Sequence, residues 1–454
     1  MSEGGLGAPV RHPIDWHNPD FYDEAKLDEE LRRVFDICHG CRRCFNLCDS
    51  FPRLFDLIDD SESGELDSVA SKDFKPVVDA CTLCDMCYMT KCPYVPPHEF
   101  NLDFPHLMLR YRAVELKKGD IGFAARQLTE TDRNGRMARF VAGMANWATS
   151  TKNWLTRPLL RLIAGISAKV EMPKCFSKTF GDRVRASSVA TDTTAPGAGR
   201  KVVLFTTCFV NYNNPGIGEA VRLVLARNGV EMEVGYPGCC GMPQLEHGDL
   251  ARVAKNAKAT ATYFAPWIEK GYDIIAPTPS CALMLKFEWP LIVAVDDPDR
   301  DAVMALSGAT RDISEYIVDI AENEGIAPGM SPVPGGVTLH LACHARAQNM
   351  GPKAAQMLKL IPEMDISVIE RCSGHGGSWG IMDENFDTAL KVGRPVARKA
   401  LEAENAYVAS ECPLAGKHVV QGMEILDGGD APESGATHPI EIMAQSYGHA
   451  DRDD

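Results

Sequence analysis

The stretches CHGCRRCFNLC, Cys38 to Cys48, and CTLCDMCYMTKCP, Cys81 to Pro93, hold eight of the sixteen cysteines. Each opens with three cysteines two residues apart and closes on a fourth. A Cys-x2-Cys-x2-Cys loop wraps one corner of an iron–sulfur cubane with three thiolates. In two-cluster ferredoxins the trailing fourth thiolate ligates the other cluster. That rule assigns Cys38, Cys41, Cys44 and Cys92 to one 4Fe–4S cluster, and Cys81, Cys84, Cys87 and Cys48 to a second. Paired zinc sites and buried structural thiols are the bland alternatives, although zinc sites usually present Cys-x2-Cys pairs and not triplets with a trailing cysteine. Cys48 is followed by Asp49, with proline only at Pro52, and four residues precede Cys92. Neither departure removes a ligand.

Around this core, 454 residues allow two to four domains. A net charge of −15 argues against nucleic acid as a partner, because phosphate binding needs a basic footprint. No apolar run is long enough to span a bilayer. The opening MSEGGLGAPVRHP lacks the basic start and apolar stretch of a signal peptide. Cysteine-rich chains without an export signal are expected in a reducing compartment, so the expected location is cytoplasmic.

In chain order, residues 1–27 read as an irregular arm, and residues 28–102 as an α+β ferredoxin-like two-cluster module with a short helix from Asp28 to Phe35. Residues 49–80, with the acidic run Asp59-Asp60-Ser61-Glu62, read as a solvated insertion. Residues 103–185 read as a helical extension, with segments near Pro105–Lys118, Ile121–Leu128 and Met137–Ala168. Within it Met144, Trp147, Trp154, Leu155, Leu159, Leu160, Leu162 and Ile163 are interleaved with Arg157, Arg161 and Lys169. Such a face fits burial against the chain or a subunit better than an interfacial membrane helix, with peripheral membrane contact the second reading. Residues 186–200, ASSVATDTTAPGAGR, read as a linker.

Beyond it the chain repeats, as 201–330 and 331–454. Strands at Lys201–Cys208, Glu231–Tyr236 and Asp273–Ser280 alternate with helices, and so do those at Val337–Ala342, Ile366–Glu370 and Ala406–Ser410. This alternation predicts two α/β units with parallel sheets. A cysteine sits just past each predicted strand end, the edge where ligands bind such sheets. Cys208, Cys239, Cys240 and Cys281 converge in one repeat, and Cys343, Cys372 and Cys412 in the other. Buried structural thiols would explain any one of them, but not their matching positions. Cys175 reads as an isolated, inert thiol. No Walker loop and no Gly-x-Gly-x-x-Gly after a strand occurs, so no flavin or nicotinamide site is expected. The glycines of GHGGSWG, Gly374 to Gly380, read as a tight turn beside Cys372.

CFVNYNNP (Cys208 to Pro215), CCGMP (Cys239 to Pro243) and HPIEIMAQSYG (His438 to Gly448) resemble the cysteine-rich CCG-domain family. The likeness is to iron–sulfur subunits of the anaerobic glycerol-3-phosphate dehydrogenase type. Those of glycolate and lactate oxidation and of heterodisulfide reductase are more distant. The resemblance implies an electron-transfer subunit that takes electrons from a flavin-containing dehydrogenase subunit or other redox partner. It passes them towards quinone or another acceptor, at the inner face of the membrane if peripheral. It also implies one or two further iron–sulfur clusters in the repeats. The Cys-x2-Cys pair of non-cubane sites is absent, since Met284 stands at that interval from Cys281 and Ala415 at that interval from Cys412. The first repeat keeps four thiols; the second keeps three and needs an outside ligand such as His344 or His375. Two other roles stay open: reduction of a disulfide or other small acceptor at the CCG crevice, and electron donation to a rubrerythrin-type peroxide-reducing protein.

Overall fold

The computed structural model describes residues 9–120, 122–428 and 435–449. Among the described residues no strand precedes Lys201, so the cysteine module and its extension are helical rather than α+β. The expected ferredoxin-like sheets are absent there. The reason is legible in the apolar spacing. Leu27, Leu31, Val34 and Phe35 recur at three and four residues and line one face of the helix Glu24–Cys41, longer than the expected Asp28–Phe35. The supposed solvated insertion also folds inward. Phe51, Leu54, Phe55 and Ile58 are the buried face of the helix Ser50–Asp59, and Phe74, Val77 and Val78 join them. Four buried residues at i, i+3, i+4 and i+7 outweigh the acidic run that follows them.

The single long segment expected over Met137–Ala168 is broken into Thr131–Ala138, Ala142–Thr149 and Thr156–Ala164. Phe140, Trp154 and Leu162 are 82%, 79% and 82% exposed, and Met144, Trp147, Leu159 and Ile163 are exposed beside them. The described residues therefore leave most of this face uncovered, with Leu160 packed against Ile166, Val170 and Phe386.

The two repeats form two four-stranded parallel sheets. The first comprises β1 (Lys201–Phe205), β2 (Glu231–Gly235), β3 (Asp273–Ala276) and β4 (Thr310–Asp312), in the order β2-β1-β3-β4. The second comprises β5 (Val337–His340), β6 (Ile366–Ile369), β7 (Tyr407–Ser410) and β8 (Ala436–Thr437), in the order β6-β5-β7-β8. The orders are equivalent, as an internal duplication requires. The edge strands β4 and β8 are short and carry little apolar signal, and the sequence pattern did not reveal them. Each leads into a helix closed by a capping box, Asp312 with Glu315 and His438 with Glu441. The repeats share a core in which Val202, Leu204 and Ile317 pack with Val337, Leu339 and Ile440. The first sheet also joins the cysteine module, since Phe205, Phe264 and Trp289 belong to one cluster with Leu31, Phe35 and Phe74.

The N-terminal arm is fastened by charge. Arg11 lies among three carboxylates, Asp103 at 2.7 Å, Asp85 at 2.8 Å and Glu288 at 3.1 Å, and over the Tyr88 ring. His106 bridges Asp103 and Glu288. Burial alone would raise the Asp103 carboxyl, but Arg11 and His106 hold it down to about 2. Its contribution to stability is therefore present above the ordinary carboxylate range and is lost as pH falls through about 2. Backbone and indole bonds from Ile14 to Leu291 and from Trp16 to Ile292 extend the seam. Replacing Arg11 by Ala leaves buried Asp85 and Glu288 and half-buried Asp103 without its guanidinium and should cost about 3–5 kcal/mol. The expected readouts are a lower thermal midpoint and earlier tryptic release of the arm.

Candidate functional site

The first cysteine run is delivered by a helix end. Cys38 and Cys41 occupy the last turn of Glu24–Cys41, and Arg42 then turns left-handed at φ 53°. The second run threads Leu83 and Asp85, both with positive φ (48° and 62°), into the wide helical turn Cys87–Lys91. Three non-glycine residues in this region within two short loops are costly backbone, and such strain gathers at functional loops. Cys38 stands beside Cys92, Cys44 and Cys41, and burial first, then these thiols, push it up. Cys48 is likewise pushed up by burial and then by Cys84 and Cys81. Cys87 feels Cys84, Cys81 and Cys48 after burial, and lastly Cys44 of the first run. The chain thus sets Cys38, Cys41, Cys44 and Cys92 together, and Cys48, Cys81, Cys84 and Cys87 together.

The thiols are arranged to receive backbone donors. Leu83 N–H points to Cys81 sulfur, Met86 N–H to Cys84, and Tyr94 and Val95 N–H to Cys92. These donations favour the thiolate, while burial raises Cys84 to about 12. Thiols this reluctant to ionise, yet furnished with amide donors, match ligands of a positively charged centre. Among the described residues no three His, Cys, Asp or Glu side chains close on the position of a single ion.

The strand ends of both repeats and the second cysteine run open onto one cavity of about 900 Å³. Cys208, Cys239, Cys240 and Cys281 line it from the first repeat, Cys343, Cys372 and Cys412 from the second, and Cys84 from the module. In the first repeat Cys208 Sγ lies 3.8 Å from Cys239 Sγ. Hydrogen bonds from Cys208 and Cys240 draw the Cys239 thiol down, while the same contacts push Cys208 and Cys240 up. In the second repeat Cys343 is raised by burial and then by Cys84, Cys372 and Cys412. Cys372 stands near both Cys84 and Cys48, and Cys281 near Cys412. The thiols form a continuous series from module to repeats. Cys175 lies apart, its backbone clamped by Asn146.

Several supporting residues carried no local sequence signal. Asp132, from the helical extension, accepts from the Tyr236 hydroxyl and from Cys239 N–H at 2.9 Å. Trp289 Nε1 donates to the Cys240 carbonyl at 3.0 Å. Arg112 donates to the carbonyls of Val78, Cys81 and Glu246, which joins the second cysteine run to the first repeat. Each partner is distant along the chain, so spacing could not reveal it. His344 and His375 both line the cavity. The former is engaged, Nδ1 with Ser280 Oγ at 2.8 Å and Nε2 with the Leu83 carbonyl at 3.4 Å.

The cysteine-rich CCG domain matches twice, at residues 202–286 and 337–415. The chain is similar to one of the subunits of the anaerobic glycerol-3-phosphate dehydrogenase of Escherichia coli, with 28% identity over 325 residues, 70% of this chain and 76% of the relative. It is similar to lactate utilization protein A of Bacillus pumilus, 29% identical over 188 residues, covering 40% of this chain and 75% of the relative. The Bacillus cereus protein of that name is 27% identical over 210 residues, covering 42% and 83%.

The turn beside Cys372 tests the backbone requirement. Gly374 has φ 82°, and a Cβ there would stand 2.0 Å from the Ala389 carbonyl. Gly374→Ala should cost about 3 kcal/mol or more. Gly64→Ala, with φ 71° but open space around it, should cost about 1 kcal/mol. Urea unfolding of the two variants compares them.

Proposed function

We propose that this chain, which carries the two cysteine-rich domains of the CCG iron–sulfur subunits, is the electron-transfer subunit of an oxidoreductase complex. The observation that carries the reading is the series of thiols running from the helical module to both repeats around one cavity. In it Cys38, Cys41, Cys44 and Cys92 hold one 4Fe–4S cluster and Cys48, Cys81, Cys84 and Cys87 a second. Cys208, Cys239, Cys240 and Cys281 hold a further centre in the first repeat. The clusters supply one-electron carriers, with potentials set by hydrogen bonds to sulfur and by solvent access. The protein's own part is to bury them, to furnish the N–H donors, and to place the second quartet against Cys372 and Cys343.

A flavin-containing dehydrogenase subunit is the donor that fits best, and quinone or a protein acceptor lies downstream. The dehydrogenase name of the Escherichia coli relative supports this placement. No helix among the described residues is long and apolar enough to cross a membrane. Between 121 and 170, however, eight basic residues stand against two acidic ones in a chain of net charge −15, although Arg157 is buried and Arg139, Arg161 and Lys169 pair with Asp182, Asp383 and Asp387. Together with exposed Trp147 and Trp154, this face suits an anionic bilayer surface in a cytoplasmic setting.

A second reading has one observation in its favour: the cavity is roomy, and Arg346, Arg371, Lys399 and Lys417 line it. A small anionic acceptor reduced there would make the chain itself a reductase. Steady-state electron transfer distinguishes the two. With a reduced flavoprotein donor and a soluble quinone analogue, Cys84→Ser should lower the rate at least tenfold. Turnover of a small disulfide by the isolated chain, unaffected by quinone, would favour the reductase. For the surface, Trp154→Ser with Leu162→Ser should weaken flotation with anionic vesicles about tenfold or more, each lost side chain forfeiting burial of about 1.5–3 kcal/mol. Unchanged flotation would remove the membrane assignment.

A further inference from the structure

The two repeats meet the cavity with unequal donor sets on equivalent scaffolds. Cys239-Cys240-Gly241 in the first corresponds to Cys372-Ser373-Gly374 in the second. The turns match. Gly241 has φ 89° and Gly374 φ 82°. Gly241 N–H points to Cys239 Sγ at 3.5 Å, and Gly374 N–H to Cys372 Sγ at 3.4 Å. The second repeat therefore keeps the cradle and lacks one thiol, the one Ser373 replaces.

The neighbouring histidines are not equivalent. Both ring nitrogens of His344 are used, which ties the second repeat to Ser280 and to the Leu83 loop. His375 is only 9% exposed, lines the cavity, and its Nε2 has no hydrogen-bond partner. A buried ring nitrogen left without a partner calls for an explanation, and a metal centre is one that its chemistry fits. His375 also follows Cys372 after two intervening residues, the interval that separates Cys38 from Cys41 and Cys81 from Cys84. The loop that carries it is held firmly. A Cβ at Gly376 would stand 2.6 Å from Thr82 Cγ2, and one at Gly377 would stand 2.1 Å from Glu246 Oε1. The His375 backbone is thus pressed between the second cysteine run and the first repeat. His418, with ring centroid 6.1 Å from that of His375, also has an unpartnered Nε2. It sits within the helix Pro413–Asp427, however, and at the Cys-x-x-ligand interval from neither Cys372 nor Cys412.

We propose that His375 supplies the fourth ligand to an iron–sulfur cluster in the second repeat, completing the set Cys343, Cys372 and Cys412. The proposal rests on the electron-transfer reading above and specifies how its last centre is held. A neutral imidazole in place of a thiolate makes the cluster one negative charge poorer, and this raises its potential relative to the all-thiolate centre of the first repeat. The two repeats would then form a directed step, with electrons drawn towards the second.

The test uses the full chain purified anaerobically, with iron and sulfide analysis and pulsed electron paramagnetic resonance of the reduced protein. The expected wild-type spectrum contains nitrogen hyperfine coupling that changes when histidine is supplied with the heavier nitrogen isotope. His375→Ala should abolish that coupling and lower the iron by about four per chain. Ser373→Cys added to His375→Ala should restore the iron without the coupling, which separates loss of a ligand from loss of fold. His418→Ala should leave both intact. Coupling absent from a wild type that carries second-repeat iron, iron unchanged in His375→Ala, or coupling lost only in His418→Ala would each overturn the proposal. A wild type without any iron or sulfide would instead defeat the electron-transfer reading itself.

Discussion

A buried thiol resists ionisation unless positive charge or hydrogen-bond donors stabilise the thiolate, and this chain crowds all its cysteines but Cys175 into two loops and two sheet edges. Burial and mutual repulsion raise Cys44 and Cys84 to about 12 and push Cys38, Cys48, Cys87 and Cys343 up as well. Against a cationic centre the thiolates would gain metal bonds, and Cys48, Cys81, Cys84 and Cys92 would keep their amide donors. The fold is the apparatus that makes this crowding possible.

That apparatus is assembled from distant pieces. Parallel strands put the cysteines of each repeat on one edge, and the shared core of Val202, Leu204, Val337 and Ile440 turns the two edges towards one cavity. Arg112 and Asp132 then fix the second cysteine run and Cys239 from the helical region. Arg11 closes the opposite side by neutralising Asp85, which lies between Cys84 and Cys87, together with Asp103 and Glu288. A charge network of this kind gives little net stability but is severe when one member is removed. It fixes the relative placement of the module and the first repeat.

The repeats were legible in the sequence because β1, β3, β5, β6 and β7 are mostly apolar runs, β2 alternates Glu231 and Glu233 with Met232 and Val234, and a cysteine follows the carboxyl end of each. Those are local signals. The short edge strands β4 and β8 carry almost none, and their place is set by pairing with β3 and β7. The helical nature of the cysteine module was hidden for a different reason. Cysteine spacing reports which thiols group together but not which backbone holds them, and the apolar period of Phe51, Leu54, Phe55 and Ile58 lies beside an acidic run that masks it. The convergence of the three cysteine groups on one cavity depends on contacts such as Arg112 with Glu246, which no periodicity encodes. The exposed Trp147–Ile163 face illustrates the converse: its composition was plain, but only the fold shows that the chain does not cover it.

The central claim is that these thiols hold iron–sulfur clusters in series. Iron, acid-labile sulfide and zinc measured together on the anaerobically purified chain test it most directly. The account predicts about eight irons per chain from the helical module alone, about twelve or more with the repeats, and sulfide in equal amount. Zinc at stoichiometric levels with no sulfide would contradict it.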